Sequence, residues 1–329
     1  MPASDPVMIG LDWGTSSLRA YLLGADGTLL DRRATGHGIQ HLPAGGYAAA
    51  FSSVAGEWIG RQPSLPVVAA GMVGSRNGWH EVPYVPCPAN PDSIANGLAA
   101  FDSGFGTIHL VPGLSQGGPL PDVMRGEGPD DLHLLALQPD LVTSSVCVLP
   151  GTHCKWATIA RGHVTRFTTY LTGELFGLLR DHSIVGRPAK DAGLAAQPGL
   201  FDRDAFMRGV RAAGESGAVG VTARLFSTRS LFLTGQLTTS QTLDYLSGLL
   251  IGEEIRSVLA GLAGAACPPL VLLGDPRLCD RYRLALATFA IDTVRVLNET
   301  GPQGLWRIAI AAGLVLHSAD SRKANRSHD

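Results

Sequence analysis

Two Gly-Thr dipeptides in matching surroundings are the residues of this chain best suited to chemistry. The first lies in IGLDWGTSSLRAYLL, residues 9–23, and the second in CVLPGTHCKWATI, residues 147–159. Each follows an apolar run that reads as a buried strand, and each leads into another strand. Such a turn offers backbone N–H groups to a close-lying phosphate, because glycine puts no side chain in the way. Gly14, Thr15 and Ser16 form the first candidate phosphate turn, and Gly151 and Thr152 the second. Asp12 ends the first strand and is placed to hold Mg²⁺, which prefers oxygen ligands and keeps several waters. The second copy has Leu149 and Pro150 at the corresponding places, so Asp12 is the one metal-side carboxylate of the pair. Two turns gripping one polyphosphate point to an ATP-dependent phosphotransferase.

Other groups have the right chemistry for the acceptor side. In PGTHCKW, His153 and Lys155 flank Cys154, and His153 is positioned for substrate or phosphate contact. Lys155 either offsets developing phosphoryl charge or faces solvent. The Gly-framed stretch AGMVGSRNGW, residues 70–79, carries Ser75, Arg76, Asn77 and Trp79, a plausible set for a sugar acid. The plainer account of that loop is a surface turn with a packed Trp. In VMRGEG, residues 123–128, Arg125 is able to clamp a carboxylate and Glu127 to take the proton of an attacking hydroxyl. Taken alone, an Arg–Glu surface pair is the simpler account. In TGEL, Thr172 is a natural N-cap and Glu174 favours the helix dipole, so Glu174 is a reserve candidate for substrate contact.

The elements that must position these groups follow from periodicity. Residues 8–12, 18–23 and 28–33 read as three antiparallel strands, with Asp26-Gly27 as a hairpin turn. Residues 66–70 are a short, wholly apolar strand leading into the Gly-rich loop, and 108–111 are another. Residues 92–101 and 130–137 read as helices. A second domain begins near Thr143 with a hairpin set over 146–169. Helices follow over 173–181, 204–213 and 239–262, the last with Ser247, Gly248 and Gly252 on one face. A buried strand over 270–273 and helices over 281–290 and 303–317 close the chain. The repeated strand-then-helix halves make a two-lobed α/β protein. The expected domains are residues 1–142 and 143–317, with a polar, frayed tail over 318–329.

The chain has 329 residues, 45% of them hydrophobic, which supports two cores. A formal net charge of −2 and the absence of a basic run exclude nucleic acid and anionic membrane as expected partners. Five cysteines without a CxxC pair suit a reducing compartment, and the N-terminal residues carry no charged-then-apolar leader, so a cytoplasmic location is expected. His37 and His41 lack a third ligand for zinc, and His182-Ser183 lacks an Asp partner for a hydrolase triad. Neither a GxxxxGK[ST] nor a GxGxxG signature is present.

Taken together, these segments resemble the 2-dehydro-3-deoxygalactonokinase family of the actin/hexokinase/Hsp70-like ATPase superfamily. DWGTSSLR, AGMVGS with its later GW, Pro112 to Leu114, VMRGE, PGTHCKW, TGEL, His182-Ser183 and SGLLIGEE (residues 247–254) all look like that family's segments, in its order. PGTHCKW is the most specific of them. The resemblance implies two ribonuclease-H-like domains with an interdomain cleft, ATP and Mg²⁺ as cofactors, and phosphorylation of the 6-hydroxyl of 2-dehydro-3-deoxy-D-galactonate. It also implies an adenosine-binding role for Gly274 in LLGDPRL, and a homodimer is compatible with it. Two departures stand out. The family often has a second glutamate after that of VMRGE, where this chain has Gly128, and the LLGDPRL loop has a single glycine. Kinases of other sugars or sugar acids, a non-catalytic sugar-acid sensor and a nucleotide hydrolase are the competing readings on this fold.

Overall fold

The structure is a computed structural model and describes residues 5–125, 141, 143–194, 201–261, 267–297 and 300–316. It contains two compact units.

The first unit is built on nine strands: β1 Pro6–Trp13, β2 Leu18–Gly24, β3 Leu29–Thr35, β4 Val67–Ala70, β5 Val85–Pro86, β6 Ala99–Asp102, β7 Thr107–Leu110, β8 Leu114–Gln116 and β9 Asp122–Met124. The main sheet has the order β3-β2-β1-β4-β7-β6. β1, β2 and β3 form an antiparallel meander, while β1, β4 and β7 run parallel. β1 is buried from Met8 onward and β4 throughout, as expected of central strands covered on both faces. β3 keeps the charged residues Asp31, Arg32 and Arg33 on the sheet's edge, which discourages further pairing. Asp26 (φ 62°) and Gly27 (φ 74°) turn β2 into β3 in the left-handed region, as their types require. Strands β5, β8 and β9 form a separate small sheet in the order β5-β8-β9.

The helix Gly46–Arg61 buries Ala50, Phe51, Val54, Ala55 and Trp58 against the main sheet; this amphipathic stripe is absent from the sequence reading. The helix expected over 92–101 stops early. Asn90 caps a helix at Pro91–Asn96, Gly97 follows, and residues 99–102 pair antiparallel with β7 instead. The helix expected over 130–137 lies outside the described residues. The last helix runs from Gly301 to Ala311 rather than to 317, ending just before Gly313 at φ 68°. It belongs to the first unit, because Leu305 packs on the bare backbone of Gly10, where a Cβ would lie 2.8 Å from Leu305 Cδ1.

The second unit carries β10 Ser144–Leu149, β11 Cys154–Ala160, β12 His163–Tyr170, β13 Leu270–Leu273 and β14 Val294–Leu297 in the order β12-β11-β10-β13-β14. β10, β13 and β14 are parallel. The order repeats that of β3-β2-β1-β4-β7 in the first unit, and Arg161 (φ 51°) and Gly162 (φ 76°) repeat its hairpin turn. The outer segment Ala157–Thr168 groups with the first unit, where Val164 bridges Ala89 and the Phe167 N–H donates to Gln116 Oε1 at 3.0 Å. The compact units thus follow contacts rather than a single cut near residue 143.

Helix Thr242–Gly261 packs on helix Arg203–Gly214 through bare backbone. A Cβ on Gly248 would strike the Phe206 carbonyl, and one on Gly252 would lie 2.9 Å from Ala213 Cβ. Gly248→Ala is therefore expected to destabilise the protein by about 1–3 kcal/mol, the usual cost of overpacking. Urea unfolding checks this: the midpoint falls while the slope is unchanged. Among the described residues no helix is long and apolar enough to cross a membrane.

Candidate functional site

In the first unit, the parallel pairing of β1 and β4 brings their C-terminal ends together. Asp12 sits opposite Ala70 on β4 and opposite Arg19 on β2. Its carboxylate is 2% exposed and receives Arg19 Nη1 at 2.8 Å. Gly71, at φ 104°, lets the following loop lie directly on the backbone of Trp13. The first Gly-Thr turn and the 71–79 loop therefore form one place, at the strand ends where α/β folds bind their ligands.

The turn is held from beneath. Gly14 N–H donates to the Ser17 carbonyl at 2.9 Å, and the carbonyls of Gly14 and Thr15 accept from the N–H groups of Ile39 and Gln40 at 3.1 Å. A Cβ on Gly38 would strike the Thr15–Ser16 backbone, so this approach depends on glycine. Two hydroxyls here, Thr15 Oγ1 and Ser75 Oγ, are buried with no hydrogen-bond partner among the described residues. Orphaned buried hydroxyls are uncommon in a finished structure and suit a site that completes itself with a ligand.

The remaining acceptor-side candidates divide. Arg125 is 7% exposed; its Nη1 donates to the Gly74 carbonyl and its Nη2 to the Val82 carbonyl, while its guanidinium lies 4.3 Å over the Tyr84 ring. It is a tether for the Gly-rich loop rather than a surface ion pair, and its buried Nε has no partner among the described residues. Trp79 stacks on Tyr47 (centroids 5.7 Å apart) and meets Trp13 and Phe101 edge-on, so its ring is spent on packing, the plainer of the two readings. Arg76 is exposed. Glu127 lies outside the described residues.

In the second unit, Gly151 and Thr152 join β10 to β11. A Cβ on Gly151 would meet nothing within 4 Å among the described residues, so their packing does not demand glycine there. Helix Thr172–His182 starts against this turn: a Cβ on Gly173 would strike the Gly151 carbonyl, and the Glu174 N–H donates to the Thr152 carbonyl at 2.9 Å. His153 Nε2 and Glu174 Oε2 lie 2.5 Å apart, so these two candidates engage each other. Lys155 does not face solvent. It is 3% exposed and its Nζ donates to the His153 carbonyl at 2.8 Å. Thr172 is not the N-cap; that place is taken by Leu171, and the Thr172 hydroxyl donates to Glu254. Gly274, at φ 143°, lies beside Pro150, where a Cβ would be 3.5 Å from the Pro150 carbonyl oxygen.

The sequence reading missed a cavity of about 310 Å³ that opens beside Gly151 and is lined by Thr172, Gly173, Asp244, Ser247 and Arg281 among others. Arg281 donates to Asp244 at 2.8 Å and to Ser247 at 3.0 Å, and lies 4.5 Å over Phe201. Burial pushes the Asp244 carboxyl up, opposed by the Asp202 N–H and by Arg281. The available signal was Asp244 and Ser247 at i, i+3 within the otherwise largely apolar stretch 243–252 of the helix.

Two sheets of one strand order, each with a Gly-Thr turn after its first strand, define a two-domain α/β fold of the actin/hexokinase type, built from ribonuclease-H-like halves. Within that class the chain belongs to the 2-keto-3-deoxy-galactonokinase family, whose family model matches residues 12–308. It is 35% identical over 305 residues to the 2-dehydro-3-deoxygalactonokinase of Escherichia coli (strain K12), covering 92% of this chain and 97% of that protein. It is also 35% identical over 314 residues to a Rhizobium meliloti (strain 1021) protein named "Probable 2-dehydro-3-deoxygalactonokinase DgoK1", covering 90% and 96%. Among solved structures, a Sinorhizobium meliloti protein described as "a putative 2-dehydro-3-deoxygalactonokinase protein" superposes with a TM-score of 0.81 at 32% identity, covering 92% of this chain and 98% of that one.

Proposed function

We propose that this protein transfers the γ-phosphoryl group of ATP to the 6-hydroxyl of 2-dehydro-3-deoxy-D-galactonate, giving 2-dehydro-3-deoxy-6-phosphogalactonate and ADP in the cytoplasm. One observation carries the chemistry: a buried carboxylate, Asp12, shares the end of parallel strands with the orphaned hydroxyls of Thr15 and Ser75, in a chain of this kinase family.

The residues fit the groups such a reaction needs. Asp12 would hold Mg²⁺, directly or through water, and the ion when bound would supply charge neutralisation to the phosphates. Gly14, Thr15, Ser16, Gly151 and Thr152 supply N–H and hydroxyl donors to the phosphates. Lys155 adds positive potential while bracing the His153 carbonyl of the second turn. The nucleoside end enters the cavity walled by Asp244, Ser247 and Arg281, with Gly274 beside its phosphate end. Ser75, Arg76 and the loop that Arg125 tethers receive the carboxylate and keto end of the sugar acid. Trp79 contributes by keeping that loop packed, and the His153–Glu174 pair lies at the second turn as a reserve for substrate contact. Glu127 accepts the proton of the attacking hydroxyl as the new O–P bond forms and the bond to ADP breaks. Alignment and charge neutralisation outweigh basicity in so loose a transition state.

The deciding assay is ADP release from Mg·ATP with 2-dehydro-3-deoxygalactonate, with its gluconate epimer, and with neither. Strong stimulation by the galactonate form alone is expected; no stimulation by either acid overturns the assignment. Glu127→Gln is expected to lower kcat by about 10²-fold or more while sparing ATP affinity. A change confined to KM for the sugar acid would make Glu127 a binding residue.

A further inference from the structure

Glu254, on helix Thr242–Gly261, takes no part in the chemistry above, yet it is among the most heavily engaged side chains in the second unit. It is 2% exposed. Its Oε1 accepts from Cys154 Sγ at 2.8 Å and Trp156 Nε1 at 2.6 Å; its Oε2 accepts from Tyr282 OH at 2.8 Å and from Thr172 Oγ1. Four donors match the full lone-pair capacity of a carboxylate. Burial pushes the Glu254 carboxyl up, and these same four hydrogen bonds oppose it.

A buried carboxylate is a costly way to fill space, and an apolar side chain of similar size would do so at less cost. The placement of its donors suggests another purpose. Cys154 and Trp156 open β11, directly after the Gly151-Thr152 turn. Thr172 opens the helix whose first residues rest on that turn through Gly173 and the Glu174 N–H. Tyr282 lines the adjoining cavity. One carboxylate therefore ties the strand that leaves the turn, and the helix that rests on it, to the wall beside them.

We infer that Glu254 is a positioning residue for phosphate binding: through Thr172 it holds the start of helix Thr172–His182 against Gly151-Thr152 and so aims the N–H groups of that turn at the β- and γ-phosphates. The inference rests on the reading of this turn as a phosphate turn.

The test measures binding, with no acceptor present. Thr172→Val removes the hydroxyl and keeps the shape, Thr172→Ser keeps the hydroxyl, and Glu254→Gln turns one acceptor into a donor. Calorimetric titration with Mg·ATP and with AMP, which lacks the β- and γ-phosphates, separates phosphate contact from nucleoside contact. Thr172→Val, which keeps the side-chain volume at the cavity wall, is expected to weaken Mg·ATP about tenfold and AMP by clearly less, and Thr172→Ser to restore it. The Thr172→Val/Glu254→Gln double variant should be no weaker than the worse single, since both act through one contact. Equal losses for AMP and Mg·ATP, a lowered melting temperature with ATP affinity intact, or additive losses in the double variant would each overturn the inference. The Thr172 pair decides the matter even where Glu254→Gln does not fold. Failure of the sugar acid to stimulate turnover would sink the proposed function and leave these titrations untouched. A parent protein that binds Mg·ATP no tighter than AMP would instead sink the phosphate-turn reading itself.

Discussion

Asp12→Asn is expected to reduce kcat about a thousandfold at ordinary Mg²⁺, with the fold retained. The substitution keeps the side chain's shape and an acceptor for Arg19, but removes the negative charge that would hold the cation. The partner Arg19 has a side chain that is 38% exposed, so the unpaired guanidinium is able to turn to water, and the loss of stability is modest. The measurement is turnover against Mg²⁺ concentration, alongside a thermal melt. Near-normal turnover at saturating Mg²⁺ would remove Asp12 from the metal site; a collapsed melt would make it a structural residue.

Arg125→Ala is expected to cost about 3 kcal/mol of stability and to raise KM for the sugar acid at least about tenfold. The stability loss follows from removing the buried guanidinium donor of the Val82 carbonyl, from leaving the Gly74 carbonyl only the Val82 N–H at 3.0 Å, and from losing the stack on Tyr84. The KM change follows because Ser75 comes directly after the tethered Gly74. Arg125→Lys should not rescue either effect, since a single ammonium lacks the planar fork that bridges two carbonyls while lying on a ring. Mg·ATP affinity should be kept. An unchanged unfolding midpoint would contradict the tether, and an unchanged KM in a destabilised variant would separate Arg125 from the acceptor side.

Arg125 also marks where the sequence stops being readable. Its type suggested a carboxylate clamp or a surface pair, but its hydrogen-bond partners are two carbonyls 51 and 43 residues away in the chain. Trp79 is similar: its place in a Gly-rich loop suggested ligand contact, and only the fold brings Trp13, Tyr47 and Phe101 around its ring. The helix expected over 92–101 failed because residues 99–102 find a strand partner in β7, a tertiary contact that local propensity does not encode. By contrast, Asp26-Gly27, the apolar strands β1, β4 and β13, and both Gly-Thr turns lie where local chemistry placed them.

The difference has a physical cause. Strand periods and left-handed turn positions depend on neighbours a few residues apart, so the order of residues alone carried the α/β plan of two similar halves and the places of both Gly-Thr turns. Partners far apart in the chain required the folded molecule. The four donors on Glu254 come from two different strand and helix starts and from a helix near the end of the second unit, at separations of 28 to 100 residues. The cavity walled by Asp244, Ser247 and Arg281, and the return of the last helix to cover Gly10, arise the same way. These contacts form only when packing closes long loops of chain, and that closure is a property of the whole fold rather than of any segment.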